Sequence, residues 1–191
     1  MKIVMLSRHG CIRATCKEAL PLIERGHDVH LIVNKITHGA ERFASVQVYQ
    51  NTDQLYEAIK QHSDADVFHA HNEPAWFVTM VKDVNHRTPV VLDIHDSHLL
   101  RKTPEEQEEE KQRNPKAFRI AIDERNNFQL ADGLVYVCEP MRRIVGTEFA
   151  LTQPSIVLPS YVPKGFYRID FDDWIGGLVY EGRIDIPDEL P

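Results

Sequence analysis

Short apolar runs alternate with longer amphipathic stretches along most of the chain. Residues 2–6 (KIVML) predict a buried strand, Arg13 to Arg25 a helix, Gly26, His27 and Asp28 its end, and residues 29–33 (VHLIV) the next strand. Pro21 falls inside that helix and removes a donor, so either a kink or a later helix start is expected. Val46 to Tyr49 alternates as a short strand, and Thr52 is placed to cap a helix through Leu55, Ile59 and His62. Residues 65–70 (ADVFHA) and 89–94 (PVVLDI) are two further strands, with a helix from about Ala75 to Asn85 between them. A helix is expected from about Lys116 to Leu130, a strand from Gly133 to Val137, a short helix opened by Pro140, and a last strand from Ser155 to Leu158. Each crossover between parallel strands must be long and right-handed, so this alternation specifies a doubly wound α/β fold: a parallel sheet with helices on both faces.

Pro104 to Arg113 (PEEQEEEKQR) is too charged to pack and is expected as a solvated helix or mobile segment. Beyond Pro159 the texture changes, and residues 177–183 (GLVYEGR) look like a new strand ending in a tight turn. The expected division is a Rossmann-like domain over 1–165 and, over 166–191, a linker with the first strand of a second domain that the chain does not complete. At 191 residues, 42% hydrophobic and 27% charged, the chain has material for a full core and is not a disordered polymer. A net charge of -7 argues against nucleic acid as a partner. Three cysteines, Cys11, Cys16 and Cys138, match neither a closed disulfide set nor a zinc spacing, which suits a reduced, cytoplasmic setting. The opening apolar run is too short for a signal peptide or a membrane span.

Ligands of open α/β sheets bind beyond the carboxyl ends of the strands, so candidate chemistry is sought there. Four groups qualify: Ser7 to Arg13, His69 to Glu73, His95 to His98, and Cys138 with Glu139. Gly10 lets backbone approach a ligand, and Arg13 suits a phosphate or carboxylate. His69 and His71, two apart on one strand, share a side, and Asp93, His95, Asp96 and His98 lie at the neighbouring strand end. Imidazoles with carboxylates suit zinc, iron or manganese, so a metal-dependent hydrolase using His69, His71, His95 and Asp96 is one reading. In another, His69 packs into the sheet while His71 and His95 line a polar cleft for a sugar or phosphate. Glu73 before Pro74 is explained by a helix start alone, and Trp76, Phe77 and Met80 are read as core. His27, His30, His38, His62 and His86 are read as structural or solvated.

Several segments together resemble the N-terminal half of a GT-B glycosyltransferase of the group 1, family 4-like class. The first loop and helix end resemble the family's at His9 to Arg13 and at Arg25 to Val29; Asp66 to His71 resembles its Asp-Val-hydrophobic-His-x-His, and Pro89 to His95 its Pro-Val-Val-x-x-x-His. Ala131 to Gly133 with Cys138 and Glu139, Val157 to Pro159, and Gly177 to Arg183 resemble later family segments. The resemblance implies transfer of a sugar from a nucleotide-sugar donor to a carbohydrate or lipid-linked acceptor, with no metal or other cofactor. It implies that His95 is the catalytic residue beside the donor sugar. Gly10 and Arg13 then border the donor phosphates, His71, Glu73 and Asp96 line the substrate site, and Gly182 and Arg183 meet the diphosphate. His9 stands where a loop glycine is expected and Cys138 where a serine is common. Most of a donor domain is missing, so the chain alone is expected to be inactive. A non-catalytic sugar or nucleotide-binding module is a rival reading to the glycosyltransferase. Lipid-linked acceptors would add a peripheral position at the inner face of the membrane to the cytoplasmic setting.

Overall fold

The computed structural model describes residues 1–8, 17–36, 39–71, 76–97, 100, 102–113 and 124–159. Their strands are β1 (Lys2–Ser7), β2 (Asp28–Val33), β3 (Ser45–Val48), β4 (Val67–His71), β5 (Val90–Ile94), β6 (Gly133–Tyr136) and β7 (Ser155–Val157). The helices are α1 (Ala19–Glu24), α2 (Thr52–Gln61), α3 (Phe77–Val84), α4 (Pro104–Arg113), α5 described over 124–130, and α6 (Glu139–Glu148). All strands pair in parallel, in the order β3-β2-β1-β4-β5-β6-β7. The doubly wound α/β sheet expected from the alternation is therefore present.

Two-residue periodicity divides the sheet between two cores. Val4 and Leu6 of β1, Phe68 and Ala70 of β4, and Val90, Leu92 and Ile94 of β5 pack on one face with residues of α2, α3 and α6. Ile3, Met5, Val29, Leu31 and Val67 pack on the other face, against Ala19, Leu22 and Ile23 of α1. Side chains of a strand alternate between faces, so His69, His71, Asp93 and His95 fall on the α1 face of the sheet.

Local signals set the element ends. A π-type turn over residues 17–18, with Glu18 in the helical region, runs into α1 at Ala19, so Pro21 lies inside the helical stretch just after that widened turn. Helix α1 ends on Gly26, at φ 79°, whose N–H donates to Ile23 O at 2.9 Å while His27 N donates to Leu22 O at 3.1 Å. Asn51, not the expected Thr52, caps α2: its Oδ1 accepts from Gln54 N at 2.9 Å, and Gln54 Oε1 accepts from Gln50 N at 2.7 Å. The charged segment forms α4, and its described side chains are mostly exposed. Residues 160–191, including the expected strand at 177–183, lie outside the described residues.

Helix α3, which follows the strand carrying His69 and His71, has no capping side chain of its own at Trp76. Asn127 of α5 supplies the cap from across the fold: its Oδ1 accepts from Thr79 N at 2.9 Å and from Thr79 Oγ1 at 3.3 Å. Asn127 is buried at 1% exposure. Replacing it with Ala leaves a half-buried helix-start N–H without its acceptor, a loss of about 1 kcal/mol. Asn127→Ala is therefore expected to lower the urea midpoint with an unchanged slope; an unaltered midpoint would show that the cap contributes nothing.

Candidate functional site at the sheet's switch point

Strand order reverses direction between β1 and β4, the place where open α/β sheets form their ligand crevice. Parallel pairing of β4 with β5 sets His71 directly beside Asp93 and His69 beside Val91. His95 is the first residue after β5. Glu18 immediately precedes α1 and meets the same face from the helix side.

These side chains form a chain of alternating imidazoles and carboxylates. Asp93 Oδ2 lies 2.5 Å from His95 Nε2 and 3.3 Å from His71 Nδ1. Glu18 Oε2 lies 3.7 Å from His71 Nε2 and 3.3 Å from His69 Nε2. The rings of His69 and His71 stack at 4.8 Å and 25°, on one side of β4 as their spacing predicted, and His71 meets His95 edge-on at 5.9 Å. Exposure grades along the chain: Asp93 is 0%, Glu18 and His71 3%, His69 12% and His95 29% by side chain. His95 is thus the imidazole open to a ligand. Its Nε2 is engaged with Asp93, which leaves Nδ1 as the other hydrogen-bonding atom of the ring.

Energetics decide what Asp93 does. A fully buried aliphatic side chain in that slot would contribute about 1.5 to 3 kcal/mol, whereas a buried carboxylate costs several kcal/mol unless hydrogen-bonded. The hydrogen bond with His95 supplies part of that compensation and orients the His95 ring, and His71 Nδ1 adds a polar contact at 3.3 Å.

A groove of about 290 Å³ adjoins this end of the sheet, lined by Asp96 and Ser97 at a polar end and by Leu100, Met141, Ile144 and Val145. Asp96 Oδ1 accepts from Ser97 N at 2.8 Å, and Ser97 Oγ donates to buried Glu124 Oε2 at 2.9 Å, so the loop after β5 is tied to α5. Of the expected site residues, the structure brings His71 and His95 together through Asp93 and sets Asp96 in the adjoining groove. Gly10, Arg13, Glu73, Gly182 and Arg183 lie outside the described residues. Glu18 was absent from the sequence reading of the site, and Asp93 was read only as one more potential ligand.

A second histidine pair lies near the start of β2. His30 and His62 rings approach to 4.8 Å, with His30 Nδ1 at 2.8 Å from Ser45 Oγ and His30 Nε2 at 3.1 Å from Asp28 Oδ2. His62 is buried, and burial, reinforced by neighbouring His30 and Lys2, holds its pKa below the usual value. His30 lies within β2 and His62 at the end of α2.

A family model described as glycosyl transferase 4-like domain matches residues 10–159, so the chain belongs to that family. No curated protein sequence matches the chain. Among solved structures, sucrose-phosphate synthase from Thermosynechococcus elongatus is 12% identical, with 83% of this chain and 48% of that chain covered and a TM-score of 0.50. Anabaena HepE in complex with UDP and glucose is 14% identical, with 83% and 44% covered and a TM-score of 0.55. Phytolacca americana UGT2, complexed with UDP-2-fluoro-glucose and pterostilbene, is 10% identical, with 86% and 55% covered and a TM-score of 0.58. The fold is the Rossmann-like N-terminal domain of the GT-B glycosyltransferases, and the chain spans about half the length of these structures. A hydrolase reading gains no support from this kinship. Among the described residues, no helix is long and apolar enough to cross a membrane.

His62 makes one contribution to the pH dependence of stability. Its folded pKa lies below the unfolded value of about 6.5, so the unfolded chain takes up the proton first as the pH falls. That contribution is complete above about pH 6.5 and is lost as the pH drops through the folded pKa. Denaturation at a series of pH values should show a flatter acid limb for His62→Gln than for the parent chain; parallel curves would exclude His62 as a source of the slope.

Proposed function

We propose that this chain forms the acceptor-side half of a glycosyltransferase site that moves a sugar from a nucleotide-sugar to an acceptor hydroxyl. In the step, the bond from the anomeric carbon to the diphosphate oxygen breaks and one to the acceptor oxygen forms. The hydroxyl proton is lost and the nucleoside diphosphate departs. The observation that carries this reading is His95: half-open at the switch point, its ring held by a fully buried carboxylate.

In this reading His95 Nδ1 meets the donor sugar, and the backbone at Gly10 with Arg13 takes the donor phosphates. Glu73 and Asp96 border the substrates, and His71 acts from beneath by sharing Asp93 with His95. Gly182 and Arg183 belong to the donor side, where arginine and oriented N–H groups stabilise leaving-group charge without a metal. The solved HepE structure with UDP and glucose supports a uridine-diphosphate sugar as the donor class. The groove beside Asp96, polar at one end and lined by Leu100, Met141, Ile144 and Val145, supports an acceptor with an apolar portion, such as a lipid-linked sugar. A donor-binding half stands opposite this domain, as relatives of about twice its length suggest, and residues 1–191 alone give no turnover. The setting is cytoplasmic, with the inner membrane face as the place where a lipid-linked acceptor is met.

The test is nucleoside diphosphate release by the protein carrying both halves. His95→Ala should lower kcat by about 10² to 10³, the usual cost of one preorganised polar group, with an unshifted thermal midpoint. Undiminished turnover would remove His95 from the site.

A further inference from the structure

The far end of the imidazole and carboxylate chain is built differently from the end at His95. Charge-assisted N–H to O contacts close to about 2.7 to 2.9 Å, and the Asp93 to His95 contact is at least that short, at 2.5 Å. Glu18 Oε2 stands farther off, 3.3 Å from His69 Nε2 and 3.7 Å from His71 Nε2. Nitrogen and oxygen bound to zinc at about 2.0 to 2.2 Å in a tetrahedron lie about 3.3 to 3.6 Å apart, so the first separation falls in that range and the second just beyond it. One ligand atom from each of Glu18, His69 and His71 lies within 4.8 Å of the others.

We propose that Glu18, His69 and His71 bind a divalent transition-metal ion, zinc being the best match, with Asp93 as the outer partner that orients His71. Two imidazoles and one carboxylate are a zinc donor set, whereas magnesium and calcium take oxygen. Zinc requires an unprotonated Nε2 on His71, which leaves Nδ1, 3.3 Å from Asp93 Oδ2, as the N–H of the ring on the side of the outer carboxylate.

The ion would share His71 with the cluster that holds His95, but the proposal does not rest on the transfer reaction. Its readouts are accordingly binding and spectroscopy. The 191-residue chain, stripped with chelator and dialysed, should take up one equivalent of zinc, and cobalt in its place should show the intense visible bands of a low-symmetry, four- or five-coordinate site. Glu18→Gln and His69→Gln should each weaken zinc binding more than tenfold, and Asp93→Asn by about 10 to 100-fold. His86→Gln, at an exposed histidine, should leave it unchanged. Less than a tenth of an equivalent bound by the parent chain at micromolar zinc would overturn the proposal, and the cluster would then be a hydrogen-bonded ion chain. Equal affinity in the parent chain and a folded Glu18→Gln variant would also overturn it, by assigning the ion to surface histidines.

Discussion

A carboxylate with no solvent exposure, one residue from the end of a parallel strand, is the constraint around which this domain's functional end is organised. Asp93 replaces apolar packing with charge, and its Oδ2 is hydrogen-bonded to His95 and lies 3.3 Å from His71. One carboxylate oxygen thereby meets two rings on different segments. His71 comes from the neighbouring strand in exact register, and His95 from the residue that leaves the sheet. The rigidity a binding site needs is supplied by a buried ion cluster on regular elements, where positions are more sharply set than on loops.

The parallel sheet places that cluster where it can act. With β4 inserted beside β1, the crevice opens at their carboxyl ends, and Glu18 enters it because α1 packs through Ala19, Leu22 and Ile23 on the same face. Helix α3, which carries the chain away from His71, is anchored at its start by Asn127, and the loop after β5 is tied to α5 through Ser97 and Glu124. Residues far apart in the chain thus support the same end of the sheet. The apolar groove beside Asp96 extends it toward α6.

Much of this was legible in the chain. Runs such as KIVML and PVVLDI announced strands buried on both faces, and the spacing of His69 and His71 announced a shared side. Asp93 left a trace too, since a charge inside an apolar run demands a partner, but its partner depends on strand register, which no local pattern encodes. Glu18 stood four residues before Leu22, on the packed side of the helix, and Pro21 obscured the phase that would have revealed it. The cap by Asn127 is purely tertiary. Thr52 and Asn51 are both competent caps, and only backbone geometry chose Asn51.

The central claim is that Asp93 holds His95 with Nε2 protonated and Nδ1 facing outward. Long-range nitrogen–proton NMR of the imidazole rings in the 191-residue chain reads this directly. The account predicts that the neutral His95 ring is a single Nε2–H tautomer, and that Asp93→Asn converts it to an averaged mixture while the amide spectrum stays folded. A His95 ring that already averages between tautomers in the parent chain, or that is indifferent to Asp93, would contradict it.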